Sequence, residues 1–89
     1  MKWVVYIVEC SDKSLYAGIT NDLSQRLNAH NKGLGAKYTK YRRPVTIRYR
    51  EVHDTKGAAL TREAAIKSLN RKAKLALISE QSSVMLMHE

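Results

Sequence analysis

The sequence predicts a small α/β (α+β) domain with its elements in the order β-β-α-β-α-α. Three observations predict it. Two short N-terminal runs rich in β-branched and aromatic residues are joined by turn chemistry, one alternating run follows Pro44, and apolar residues elsewhere recur at helical spacing. Eighty-nine residues suffice for one compact domain with one modest core. Residues 1–80 are expected to form it, with residues 81–89 set apart as a C-terminal tail.

Residues 3–10, WVVYIVEC, have the composition of a strand buried on both faces, and the SDKS cluster after them is turn chemistry that makes a hairpin. The second strand runs from about Ser14 to Ile19, where Gly18 marks a bend or a close approach of backbone. Thr20 or Asn21 can cap a helix that begins near Asp22, whose acid suits the positive helix start, and ends near Asn31 ahead of Gly33. Residues 32–43, KGLGAKYTKYRR, have two glycines and no apolar periodicity and read as a surface loop. Pro44 opens a third strand, VTIRYREV, in which Val45, Ile47 and Tyr49 would form an apolar face opposite Thr46, Arg48 and Arg50. A helix over about 58–69 would bury Leu60, Ala64 and Leu69, and Asn70 is expected to cap a short last helix with Leu75 and Ile78.

Sixteen Lys and Arg against eight Asp and Glu give a net charge of +8, which favours a polyanionic partner: nucleic acid first, an acidic membrane surface second. The single Cys10 excludes an internal disulfide, and no Cys/His spacing resembles a zinc site, so a reducing cytoplasm fits. The apolar N-terminus is too short and interrupted to span a bilayer. Between residues 23 and 50 stand Arg26, Lys32, Lys37, Lys40, Arg42, Arg43, Arg48 and Arg50 with no Asp or Glu among them. Such a run argues for binding and says nothing of cleavage. If about six of these cations touch phosphates, log affinity for duplex DNA should fall against log salt with a slope near −5. Tyr38 and Tyr41, interleaved with the charges, can stack on unpaired bases or pack under lysine stems.

On the first helix Leu23 and Leu27 define the buried stripe, and Arg26 and His30, four apart, project together along its edge. Alone, Arg26 reads as a solvated cation and His30 as a partner of the helix's carbonyl end. Glu63, in LTREAAIKSLN, reads alone as a surface carboxylate, although the alanines after it leave space for a hydrated ion or a phosphate. One carboxylate with phosphate oxygens and water can hold Mg²⁺.

These pieces, in this order, resemble the GIY-YIG nuclease superfamily over roughly Trp3 to Ile78, and its small single-domain bacterial branch in the GxGAKYT segment and the RKxKxxLI ending. The first family tripeptide falls on Val4-Val5-Tyr6 and the second on Tyr16-Ala17-Gly18, with Val4 in place of glycine and Ala17 in place of isoleucine. The helical arginine and histidine fall on Arg26 and His30, and the metal-binding glutamate on Glu63.

The resemblance implies a three-stranded antiparallel sheet flanked by helices. It also implies phosphodiester hydrolysis by a divalent-metal-dependent endonuclease with one Mg²⁺ or Mn²⁺ ion and no small-molecule cofactor. The catalytic set would be Tyr6, Tyr16, Arg26, His30 and Glu63, with Glu63 on the metal. Tyr6 would be the base, its phenolate favoured by Arg26 and its proton relayed by His30; Tyr16 would orient water or phosphate. Gly18, Lys37, Tyr38, Lys40, Arg42 and Arg43 would meet the substrate. DNA ranks ahead of RNA, in a repair or processing role and as a monomer. Asn70 could assist Glu63, though a helix cap explains it as well. The alternatives are a nucleic-acid-binding module without turnover and, last, a basic structural protein of a ribonucleoprotein.

Overall fold

The computed structural model describes residues 2–87, with side-chain surroundings described through residue 83. Strands β1 (Trp3–Glu9), β2 (Leu15–Thr20) and β3 (Thr46–His53) form one antiparallel sheet in the order β2-β1-β3. The helices are α1 (Leu23–Asn31), α2 (Lys37–Lys40), α3 (Lys56–Lys67) and α4 (Arg71–Met87). The expected three-stranded antiparallel sheet flanked by helices is the fold. Helix α4 runs on through residues 81–87, set apart above as a tail, while residues 88–89 lie outside the described residues.

The central strand β1 has both edges paired, and helices cover both of its faces, α3 with α4 on one and α1 on the other, which is why it is apolar without alternation. Val5 and Ile7 join Ala17, Tyr49, Ala59 and Ile66 on the face under α3, with Leu77 and Ile78 of α4 packed against them. Tyr6, Val8, Cys10 and Val45 form a second cluster on the other face, sealed by Leu23 and Leu27 of α1. The single core expected from the length is two small cores divided by a sheet.

Four local expectations are corrected. The apolar face of β3 is broken by a register shift opposite Ile7 and Val8, which pairs Ile7 with Tyr49 but Val8 with Ile47. Val45 and Ile47 therefore face α1 while Tyr49 faces α3. Second, α3 buries Ala59 and Ile66 and leaves Leu60 45% exposed. Its inward stripe is displaced by one residue from the expected one and carries Arg62 and Glu63 to half-buried positions. Third, α1 is capped by Asp22, whose carboxylate accepts from the Gln25 amide at 3.1 Å, and not by Thr20 or Asn21. Fourth, the basic loop contains the turn of helix α2. Its carbonyls are capped from downstream: Arg42 donates to the Tyr38 carbonyl at 2.7 Å and Arg43 to that of Lys40 at 2.9 Å. Four residues carry too little periodicity to announce such a helix.

Among the described residues no helix is long and apolar enough to cross a membrane. Asn70 caps α4, accepting from the Ala73 amide at 2.9 Å, and this contact gives it a structural role.

Candidate active site

The strand alternation that buries β1 also sets the direction of both phenols. Tyr6 pairs with Gly18 and Val8 with Tyr16, so Tyr6, Gly18 and Tyr16 share the α1 face. The ring of Tyr6 lies over β2 because position 18 has no side chain: a Cβ there would fall 2.5 Å from the Tyr6 hydroxyl. Gly18 thus admits a phenol across the strand.

Helix α1 brings Arg26 and His30 to the same oxygen, as their spacing of one helical turn predicts. Arg26 Nε donates to the Tyr6 oxygen at 3.3 Å, and the Tyr6 oxygen lies 2.9 Å from His30 Nε2. His30 is fully buried and its other nitrogen, Nδ1, is 2.8 Å from Thr39 Oγ1. The direction of these bonds follows from proton accounting. Thr39 has one hydroxyl proton and donates it to the Ala36 carbonyl at 3.1 Å, so its oxygen accepts from His30 Nδ1–H. Nε2 is then the bare nitrogen, and Tyr6 donates to it. Thr39 holds the tautomer in which the imidazole can receive the phenol's proton.

Burial dominates the acid–base chemistry of this pair. It raises the Tyr6 pKa, and the charges of Tyr16 and Glu63 add to the rise while the bond and charge of Arg26 oppose it. His30 is lowered, first by burial and then by the Arg26 cation. At neutral pH the pair is therefore phenol and neutral imidazole. The phenolate expected from the guanidinium is corrected, because desolvation exceeds the attraction of one partly exposed cation.

Tyr16 packs edge-on to the His30 ring at 5.6 Å and stacks with Tyr38 at 5.8 Å. Helix α3 reaches this ring from the other face of the sheet: Lys67 Nζ lies 5.9 Å from its centroid and pairs with Glu63 at 3.6 Å. The site therefore wraps around the free edge of β2, with the phenols and imidazole on one side and the carboxylate arriving from the other. Arg62 holds α3 at this rotation by donating to Glu51 at 2.8 Å, a carboxylate that also accepts from Tyr49 and meets His53.

Glu63 is 18% exposed, with the Lys67 ion pair its described partner. No group of three or more His, Cys, Asp or Glu side chains could hold a metal among the described residues. The donor set does not make an all-protein cage. It fits a hard ion that keeps water and takes oxygens from a phosphate, as Mg²⁺ and Mn²⁺ do on one carboxylate.

The five catalytic candidates are thus linked through direct contacts and Lys67. The substrate candidates divide. Tyr38 is held between Tyr16 and Arg42, whose guanidinium lies 4.1 Å from its ring. Arg42 also pairs with Asp12, and Arg43 donates to the carbonyls of Lys40 and Asn31, so both guanidiniums brace the chain. Lys37 and Lys40 line an open groove with Tyr41. Arg48 and Arg50 stand on β3, at the opposite edge of the sheet from β2.

Sequence reasoning missed Thr39, Lys67 and Gly35. A Cβ on Gly35 would lie 2.4 Å from His30 Nδ1, so the GxGAKYT segment is shaped around the imidazole by a glycine as well as by Thr39. The signal was a threonine and a glycine in a loop whose cations and tyrosines alone were weighed as substrate contacts.

The model of the GIY-YIG catalytic domain matches residues 2–76. A UPF0213 protein of Staphylococcus saprophyticus is 54% identical over 79 residues, spanning 89% of this chain and 96% of its own. One of Staphylococcus aureus is 54% identical over 77 residues, 86% of this chain and 94% of its own. The solution structure of a UPF0213 protein from Bacillus halodurans superposes with a TM-score of 0.58 at 39% identity, covering 89% of this chain and 84% of that one. That of an E. faecalis protein superposes at 0.60 and 38%, covering 100% and 90%.

Proposed function

The chain belongs to the GIY-YIG family, a nuclease family, and on that premise we propose that it is an endonuclease that hydrolyses phosphodiester bonds in DNA with one divalent ion on Glu63. The observation that carries the reading is the directed chain from Arg26 through Tyr6 and His30 to Thr39. A buried phenol beside a bare imidazole nitrogen is a proton relay, and a fold has little structural need for one.

Tyr6 is fully buried in this state, and Arg26, at 3.3 Å the longer of its two contacts, is the group a phosphate would attract. In the proposed reaction Arg26 turns from the phenol to the phosphate, neutralising charge that grows in the transition state and uncovering the Tyr6 oxygen. Tyr6 then accepts a proton from the attacking water while passing its own to His30 Nε2. The phenol never has to titrate, so its raised pKa is no obstacle. Tyr16 orients the water or the phosphate, and Tyr38 holds the Tyr16 ring. A Mg²⁺ or Mn²⁺ ion held by Glu63 would supply Lewis-acid polarisation and a template for the leaving oxygen. The cellular role in this reading is DNA repair or processing.

The test is cleavage of nicked, branched, single-stranded and duplex DNA with Mg²⁺ or Mn²⁺, comparing the wild type with Glu63→Ala. Loss of cutting in Glu63→Ala with DNA binding intact is expected; equal cutting by both proteins removes the metal role. Salt-dependent binding without cleavage of any substrate would favour a binding module, and cutting abolished by Tyr6→Phe would eliminate that module.

A further inference from the structure

The two tyrosines of the basic segment differ in a way their sequence context hides. Tyr38 is engaged by Tyr16 and Arg42, whereas Tyr41 is 82% exposed and its described ring contact is the Lys40 ammonium at 5.5 Å. Leu34, 79% exposed, borders the same open groove of about 480 Å³, and a second of about 440 Å³ lies along Tyr41 beside Pro44. Lys37, Lys40 and Arg43 are the charged residues of the two grooves, and no acid lines either. An aromatic ring and a leucine held out in water among cations complement a flat apolar ligand that carries negative charge.

We propose that Tyr41, with Leu34 and Lys40, is a seat for one unpaired base of DNA, so that the domain prefers DNA with unstacked nucleotides beside the phosphate it cuts. The inference rests on the nuclease reading for the position of that phosphate. Tyr41 stands three residues after Tyr38, which touches Tyr16 in the site. One helical turn advances about 5 Å, so a nucleotide whose phosphate lies by Tyr16 can present a neighbouring base to Tyr41. The Lys40 ammonium stands beside the exposed ring, and its flexible stem lets it move to the seated nucleotide's phosphate. In continuous duplex the bases remain stacked on one another and the seat receives none. Selectivity then comes from stacking, which any base can supply, so it is for strand structure and not for sequence.

The experiment measures binding by fluorescence anisotropy without divalent metal, so that no turnover occurs, for wild type, Tyr41→Ala and Tyr41→Trp. The probes are a single-stranded oligonucleotide and a duplex of the same length at one salt concentration. Tyr41→Ala is expected to weaken single-strand binding about five- to tenfold and duplex binding, which rests on phosphates, by less than about twofold. Tyr41→Trp should bind the single strand at least as tightly as wild type. A 2-aminopurine in the single strand should be quenched by wild type and less by Tyr41→Ala. Equal losses on both probes, or no loss on the single strand, would overturn the seat. Strand-selective loss in a protein that cuts nothing would leave the seat standing and remove the nuclease reading; cutting with no strand-selective loss would do the reverse.

Discussion

Replacing Thr39 by Val keeps the shape of a fully buried side chain and removes the one oxygen that accepts from His30 Nδ1. His30 is itself without solvent contact, so water does not make up the loss. If the ring keeps its proton on Nδ1, a buried donor is left unpaired at about 1–3 kcal/mol. In a domain this small each kilocalorie corresponds to a Tm fall of roughly 4–8 °C. If instead the proton moves to Nε2, part of that cost is recovered, but Nε2 then faces the Tyr6 hydroxyl as a second donor and the relay has no acceptor. A tautomer bias of about 1–2 kcal/mol from one hydrogen bond converts to a rate loss of roughly 5- to 30-fold, with KM little changed. The assays are DNA cleavage kinetics, thermal melting, and the ¹⁵N shifts of the His30 ring, which report the protonated nitrogen directly. Thr39→Ser retains the oxygen and should keep the wild-type tautomer and most of the rate. A wild-type His30 protonated on Nε2, or a Thr39→Val protein with the proton on Nε2 and an unchanged rate, would refute the assignment of donor and acceptor along this chain.

Glycine replacements probe the same geometry from the backbone. Gly18→Ala should cost most of the cleavage rate, because its Cβ would fall 2.5 Å from the Tyr6 hydroxyl. Gly35→Ala should also lower Tm, by the equivalent of about 1–3 kcal/mol, since it meets the backbone Cα of His30 at 2.8 Å as well as the ring; unchanged melting would contradict that packing. For pH, the lowered His30 pKa means the unfolded chain binds more protons below about 6.5. The stability it contributes is full above that value and lost as pH falls through the depressed folded pKa. The raised Tyr6 pKa gives the opposite limb: stability is present below about 10 and lost as pH rises through the higher folded value. Melting curves across pH, with His30 titrated by NMR, check both, and a His30 midpoint at or above its ordinary value would be inconsistent with its burial. Among the cations, Lys37→Ala and Lys40→Ala should each reduce the salt slope of DNA binding by about one and leave Tm unchanged. Arg43→Ala should instead lower Tm, because its guanidinium holds the carbonyls of Lys40 and Asn31.

Much of the architecture was legible because it depends on neighbours along the chain. The unbroken apolar run of β1 announced a strand covered on both faces, the SDKS turn announced the hairpin, and the four-residue step from Arg26 to His30 put both on one side of α1. Helix α3 shows the limit. With few apolar residues between 58 and 69, two stripes fit the spacing, and contacts across the sheet selected Ala59 and Ile66. The Arg62–Glu51 pair braces the same rotation, and that rotation brings Glu63 toward the phenols.

By itself the sequence determined the residue types, their order and their local spacing, and the resemblance these carry to a nuclease family marked two phenols, a guanidinium, an imidazole and a carboxylate as a set. Only the tertiary structure decided that the phenol is buried and neutral, that Thr39 sets the proton on His30, and that Tyr38 is held inside the site while Tyr41 stands in water. Desolvation and the direction of a hydrogen bond depend on every atom within a few ångströms, and most of those atoms come from segments distant in the chain.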